Sequence, residues 1–254
     1  KRTEEALQAS QQEFSNLFNS SPEALIYIDE KSKILDINAQ FTKLFGYTLE
    51  EIKGKNVDDG IIHSQKIIHE GKKLTKKALK GFVNYETIGK RKDGSEFPVF
   101  ISSATVKINN KLKGIITSYQ DITERKKNEK VQQVLYNISK AANSRVSLNQ
   151  LYKAIHKELG KIIDTTNFYI ALLDEKEGKI YFPYHVDEMG DEFEPQNLEY
   201  KSLTCYVIRN KRSLLLNYDK IKKLNEKGEL LNPGVITKDI FWFGVPLKVE
   251  GKVI

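Results

Sequence analysis

The residues of this chain that could do chemistry are few and widely spaced. Four histidines (His63, His69, His156 and His185) and one cysteine (Cys205) supply every imidazole and thiol among 254 residues. A single cysteine excludes an intrachain disulfide, and with so few histidines no Cys/His set for a metal is expected. His156-Lys157-Glu158-Leu159 has the outline of a phosphoacceptor box, but Gly160-Lys161-Ile162 follows where Arg-Thr-Pro would be needed. His156 is therefore read as a packing or solvated histidine. Gly71, Gly89 and Gly94 stand alone, so neither a phosphate-cradling loop nor a dinucleotide fingerprint is present. No Ser/His/Asp or Cys/His arrangement can be set out from spacing, and no Gly-Gly-Asp/Glu-Glu-Phe signature occurs. No catalytic residue is expected in these residues.

The elements that would position a binding site are easier to read. The chain is 39% hydrophobic and 30% charged, a composition of globular proteins whose length suits two ordinary domains. No apolar run approaches the ~20 residues a membrane-spanning helix needs. The net charge of +7 comes from lysines interleaved with 34 acidic residues. The densest group, Lys72, Lys73, Lys76, Lys77 and Lys80, reads as the solvated face of a short helix, so neither nucleic acid nor membrane contact is expected. With one cysteine and no spanning segment, a cytoplasmic setting is expected.

Residues 1–19 carry Leu7, Phe14, Leu17 and Phe18 at helical spacing. Leu25–Asp29 and Ile34–Asn38 read as strands, and Asn38 as the cap of a helix bearing Phe41, Leu44 and Phe45 and ending at Gly46. Thr48 with Glu51 makes a capping box. Helical segments near 61–68 and 74–79 precede strands at 82–89 and 96–108, joined by a turn at Asp93-Gly94. Asn109-Asn110 turns the chain into a last strand, 114–120. Alternation groups Ile26 with Ile28, Val99 with Ile101, and Ile115 with Thr117 and Tyr119. With Phe41 and Phe45 these are the candidate lining of a cavity, Thr117 and Tyr119 being its polar handles. At Asp121-Ile122-Thr123-Glu124-Arg125 the β-branched run gives way to a charged helix that Asp121 or Thr123 can cap, spanning 123–142 with a stripe of Val131, Leu135 and Ile138.

Phe14 to Phe18, Ser21-Pro22-Glu23-Ala24-Leu25, Asn38, Phe45-Gly46-Tyr47, Lys92-Asp93-Gly94 and Asp121-Ile122-Thr123 follow one another in the order of a PAS domain, which residues 20–125 resemble. Downstream, Ser147 and Gln150 open a helix through Leu151, Ile155 and Leu159, and strands at 167–174 and 179–185 follow. The stretches from Asn167 to Tyr184 and from Gly244 to Ile254 resemble a GAF domain over 128–254, one that stops before its last strand and helix. The expected architecture is α+β: two domains, each a central antiparallel β-sheet flanked by helices, joined by a helical linker.

The resemblance implies a sensory and relay region, as in two-component sensor histidine kinases, working as a cytoplasmic homodimer that detects a small ligand or a partner. Two other readings stand beside it: the regulatory region of a diguanylate cyclase or phosphodiesterase, and an interaction module that dimerises without a ligand. Asp121, Thr123 and Arg125 are the expected relay residues, and Tyr169, Ala171 and Tyr184 the expected ligand contacts of the second domain. No cofactor is expected. Haem ligation through His63 or His69 is disfavoured because six residues place them on different helix faces. Flavin would want a cysteine within 40–75, where there is none, and bilin an accessible cysteine, whereas Cys205 lies in an apolar segment before Tyr206.

Overall fold

A computed structural model describes residues 2–63, 68–188, 190, 193–231, 238–239, 241–249 and 252–253, the side chains of 2, 3, 7, 68, 70 and 249 excepted. The chain divides into two compact units, Lys1–Lys130 and Val131–Ile254.

In the first unit α1 (Arg2–Ser20) leads into the hairpin β1 (Ala24–Ile28) and β2 (Ile34–Ile37). The short helices α2 (Ala39–Phe45) and α3 (Leu49–Ile52) follow, then α4 (Ile68–Ala78). The strands β3 (Val83–Lys90), β4 (Glu96–Ile108) and β5 (Lys111–Asp121) complete an antiparallel sheet in the order β2-β1-β5-β4-β3. Local chemistry sets these boundaries. Asn38 Oδ1 accepts from Phe41 N at 2.9 Å and so caps α2, while Asn38 Nδ2 donates to the Phe18 carbonyl at 3.0 Å and ties α1 to the sheet. Gly46 ends α2 at φ 81°, a conformation in which a Cβ is strained. Asn109 and Asn110 both take positive φ, as a tight turn between β4 and β5 demands, and asparagine tolerates it.

The expected helix over 61–68 is corrected in part. Residues 58–61 form turns, and His63 makes an isolated β-bridge with Gly89; residues 64–67 lie outside the described residues. Helix α4 begins at Ile68, ahead of the start expected at 74. The sheet buries one continuous core in which Phe41, Phe45, Ile34, Ile26, Ile115 and Val99 are almost wholly inaccessible. Burying six such side chains contributes about 1.5–3 kcal/mol each relative to exposure.

Helix α5 (Thr123–Ala142) follows β5 and runs across the boundary between the units. In the second unit come α6 (Leu148–Leu159), β6 (Phe168–Asp174), β7 (Lys179–Val186), β8 (Gln196–Asn197), α7 (Leu203–Asn210), β9 (Leu214–Asn217), α8 (Tyr218–Glu226), β10 (Phe241–Gly244), β11 (Lys248–Val249) and β12 (Lys252–Val253). Among the described residues the strands form an antiparallel sheet β6-β7-β8 and the pairs β10-β9 and β11-β12. The apolar segment around Cys205 is helical, with Ser202 as its N-cap, and residues 250–251 lie outside the described residues. Ser147 and Gln150 form the capping box of α6. No helix is long and apolar enough to cross a membrane among the described residues.

Candidate functional site

Strand alternation places Ile115, Thr117 and Tyr119 of β5 on one face, opposite Ile28, Ile26 and Ala24 of β1. That face and α4 enclose a cavity of about 30 Å³. Of the nine expected lining residues, Ile26, Ile28, Ile101, Ile115, Thr117 and Tyr119 line it. Phe41, Phe45 and Val99 do not. They fill the adjoining core, where Phe41 and Phe45 meet the Tyr119 ring edge-on at 5.9 and 5.2 Å.

Sequence reading missed the rest of the wall. Val57, His63, Gly71, Leu74, Thr75, Ala78 and Ser103 also line the cavity. Ser103 was accessible to the same alternation that grouped Val99 with Ile101; the α4 residues were not, because which helix covers a sheet is a tertiary matter. Ser103 Oγ and Thr117 Oγ1 are 2.9 Å apart, and Thr75 Oγ1 donates to Asp58 Oδ1 at 2.9 Å. Burial, with a smaller contribution from the Asp58 carboxylate, pushes the Tyr119 hydroxyl well above its ordinary pKa, so it is a neutral donor. Gly71 is glycine for a visible reason: a Cβ there would sit 2.9 Å from the His63 ring.

His63 is buried in its β-bridge and His69 is exposed on α4, so the two are on different kinds of element. No group of three or more His, Cys, Asp or Glu able to hold a metal occurs among the described residues.

The next residue of the cavity-facing alternation on β5 is Asp121, at the exit. Its Oδ1 accepts from Thr123 N and Oγ1 at 2.9 and 2.5 Å, and its Oδ2 pairs with Arg91 at 2.8 Å. Asp121 thus caps α5 and pairs with an arginine at once. Partial burial pushes its carboxyl up, but the Thr123 bonds and Arg91 outweigh this and hold it below the usual carboxylate range. Arg91 also donates to the Leu44 carbonyl and lies 3.7 Å from the Phe97 ring centroid. Arg125 and Lys126 both reach Glu86 of β3, at 2.6 and 2.7 Å. The first turn of α5 is therefore fastened to β3 and to the loop after it, as well as to β5.

In the second unit the three expected contacts are not brought together. Tyr169 OH lies 2.7 Å from Thr204 Oγ1 on α7, and Ala171 packs in the cluster around Ile180 and Cys205. Tyr184 is on the opposite face of the sheet, its hydroxyl 2.8 Å from His156 Nδ1. The cause is a bulge: Ile170 faces Tyr184 but Leu172 faces Tyr181, so parity along β7 breaks near Pro183. His156 Nε2 lies 2.9 Å from the Thr165 carbonyl and so carries the proton there, leaving Nδ1 to accept from Tyr184. Its ring stacks on Phe168 at 4.8 Å. Both nitrogens are engaged, as a packing histidine requires. Cys205 is fully buried.

Among solved structures the chain is similar to the PAS domain of a protein from Colwellia psychrerythraea, at 21% identity over 45% of this chain and 98% of that one, TM-score 0.41. It is also similar to the PAS domain of an HTR-like protein from Haloarcula marismortui, at 18% identity over 48% and 98%, TM-score 0.39. A PAS domain from a two-component sensor histidine kinase matches at 16% identity over 45% and 97%, TM-score 0.38. The family model described as PAS domain matches residues 22–124, the stretch that holds the whole five-stranded sheet and the cavity. Residues 22–124 of this chain are a PAS domain.

Proposed function

We propose that this chain is the sensory and relay region of a signal-transduction protein, a cytoplasmic, homodimeric two-component sensor histidine kinase with a GAF-like second unit. One observation carries the relay. Ile115, Thr117 and Tyr119 face the cavity and Asp121, next in the same alternation, caps α5, so one strand connects what fills the core to the exit helix. A change in the Tyr119 environment displaces the strand end that holds the cap. Replacing Asp121 by alanine in the full-length protein changes signalling output while the melting temperature of the domain moves little; unchanged output removes the relay.

The cavity supports a second reading. About 30 Å³ is far below the several hundred Å³ of a small-molecule pocket, so a ligand of that size fits only if the cavity widens. A domain that reads a protein partner through the same strand, with a filled core, fits this size as well. Native mass spectrometry of the purified chain separates the two: a retained small molecule selects the ligand sensor, and bare protein mass selects the interaction module. In either reading the protein is colourless, and a Soret band lost in His63→Ala would overturn that.

A further inference from the structure

Helix α4 has two faces of opposite character. At about 100° per residue, Gly71, Leu74, Thr75 and Ala78 share one arc of about 100° and line the cavity. Lys72, Lys73, Lys76 and Lys77 fall within an arc of about 140° on the other side, and Lys80 follows in the turn after the helix. All five are exposed, and none forms an ion pair among the described residues, although ion pairs such as Arg91–Asp121, Arg125–Glu86 and Lys161–Glu158 form elsewhere among them. Glu70 is the one carboxylate in α4, at the start of the helix, whereas α5 interleaves its basic residues with Glu124 and Glu129 in ion pairs.

We propose that this face docks on an anionic phospholipid surface. The charges are all lysine ammoniums, compact point charges that suit a diffuse negative plane; guanidinium forks, which match phosphates one by one, are absent from the face. The one ring that the same count places among the lysines is the imidazole of His69; no Phe, Tyr or Trp interleaves with them as a run of stacked bases would favour. The aromatic residue nearby is instead at the edge: Phe82, two residues past Lys80, is 69% exposed. At the same end of the sheet, β4 runs past the start of β3, from Ser103 opposite Val83 to Ile108 opposite Lys111. That tip bears an exposed Ile108 flanked by the exposed Lys107 and Lys111. Lysines with an apolar rim are the arrangement that holds a protein at a charged bilayer interface. The proposal revises the reading of the lysine group as an inert solvated face, and stands independently of the sensory role.

Co-sedimentation of the full chain with vesicles tests it. The wild type pellets with phosphatidylcholine vesicles containing phosphatidylglycerol, not with phosphatidylcholine alone, and is released by high salt. Each lysine near the surface is worth about fivefold in partitioning, so a Lys72→Gln, Lys76→Gln, Lys80→Gln variant loses on the order of a hundredfold. A Lys130→Gln, Lys140→Gln, Lys153→Gln variant of equal net charge loses far less, with both variants giving thermal melts like the wild type. Equal loss in the two variants, or no pelleting with anionic vesicles, overturns the proposal. So does tighter binding of a polyribonucleotide that depends on the same three lysines, which would assign the face to nucleic acid.

Discussion

The two units handle their strands differently. In the first, five strands pair into one sheet and the buried residues form one cluster that includes Phe41, Phe45 and Tyr119. In the second, the described strands fall into sheets of three, two and two, and buried residues gather in two separate clusters, around Ile180 with Cys205 and around Leu203 with Ile221. A continuous core makes every strand's position depend on its neighbours, which lets a disturbance at one wall reach the far end of β5. Divided cores localise a disturbance instead, because interiors transmit strain only where they are close-packed.

A large cavity made in each unit should affect the two cores differently. Phe45→Ala removes a ring packed against Phe41, Phe97 and Tyr119, and is expected to cost about 3–5 kcal/mol and to lower hydrogen-exchange protection across β1, β4 and β5 together. Ile221→Ala in the second unit is expected to cost about 2–4 kcal/mol, with protection lost near α8 and β9 only. Protection lost equally throughout β6 and β7 would show that the second core is not divided.

A smaller effect sharpens the role of α4. By helix propensity alone Gly71→Ala should stabilise the helix by up to about 1 kcal/mol. The Cβ would meet the buried His63 ring at 2.9 Å, so the expected result is a net loss of about 1–3 kcal/mol in denaturant unfolding. A gain would mean that the His63 ring yields freely and that the cavity wall is soft.

The smallest expected effect concerns the exit. Loss of the Asp121 cap costs about 0.5–2 kcal/mol, and its partly exposed pair with Arg91 adds less. The Asp121 carboxyl is held below its ordinary range in the folded chain, so its contribution is present above about pH 4 and disappears as pH falls through the folded value. The melting difference between wild type and Asp121→Ala should therefore be full at neutral pH and vanish in strong acid. A difference constant down to pH ~2 would show that the lost cap is not electrostatic.

Much of the first unit was legible from local signals. Asn38, the Thr48 and Glu51 pair, Gly46 and Asn109-Asn110 act on backbone groups within a few residues of themselves, so their roles do not depend on the rest of the fold. The same holds for α5, whose span from Thr123 to Ala142 is free of glycine and proline. Alternation placed Ile115, Thr117 and Tyr119 on one face because the period of a strand is a property of the backbone.

Where those faces end up was decided by tertiary structure. Phe41, Phe45, Ile26 and Ile28 share one apolar cluster, yet only the isoleucines also border the cavity, because Val57, His63 and α4 lie over that part of the sheet. Arg91 and Glu86 gave no local sign of anchoring the exit, because ion pairs spanning 30 and 39 residues exist only once β3 and the loop after it lie beside the exit. In the second unit one bulge put Tyr184 and Tyr169 on opposite faces, since a single extra residue inverts a period of two. Caps, turns, periods and the sign of each face are local properties of the chain; which faces meet, and hence what the cavity and the exit are made of, follows from long-range packing that no local spacing encodes.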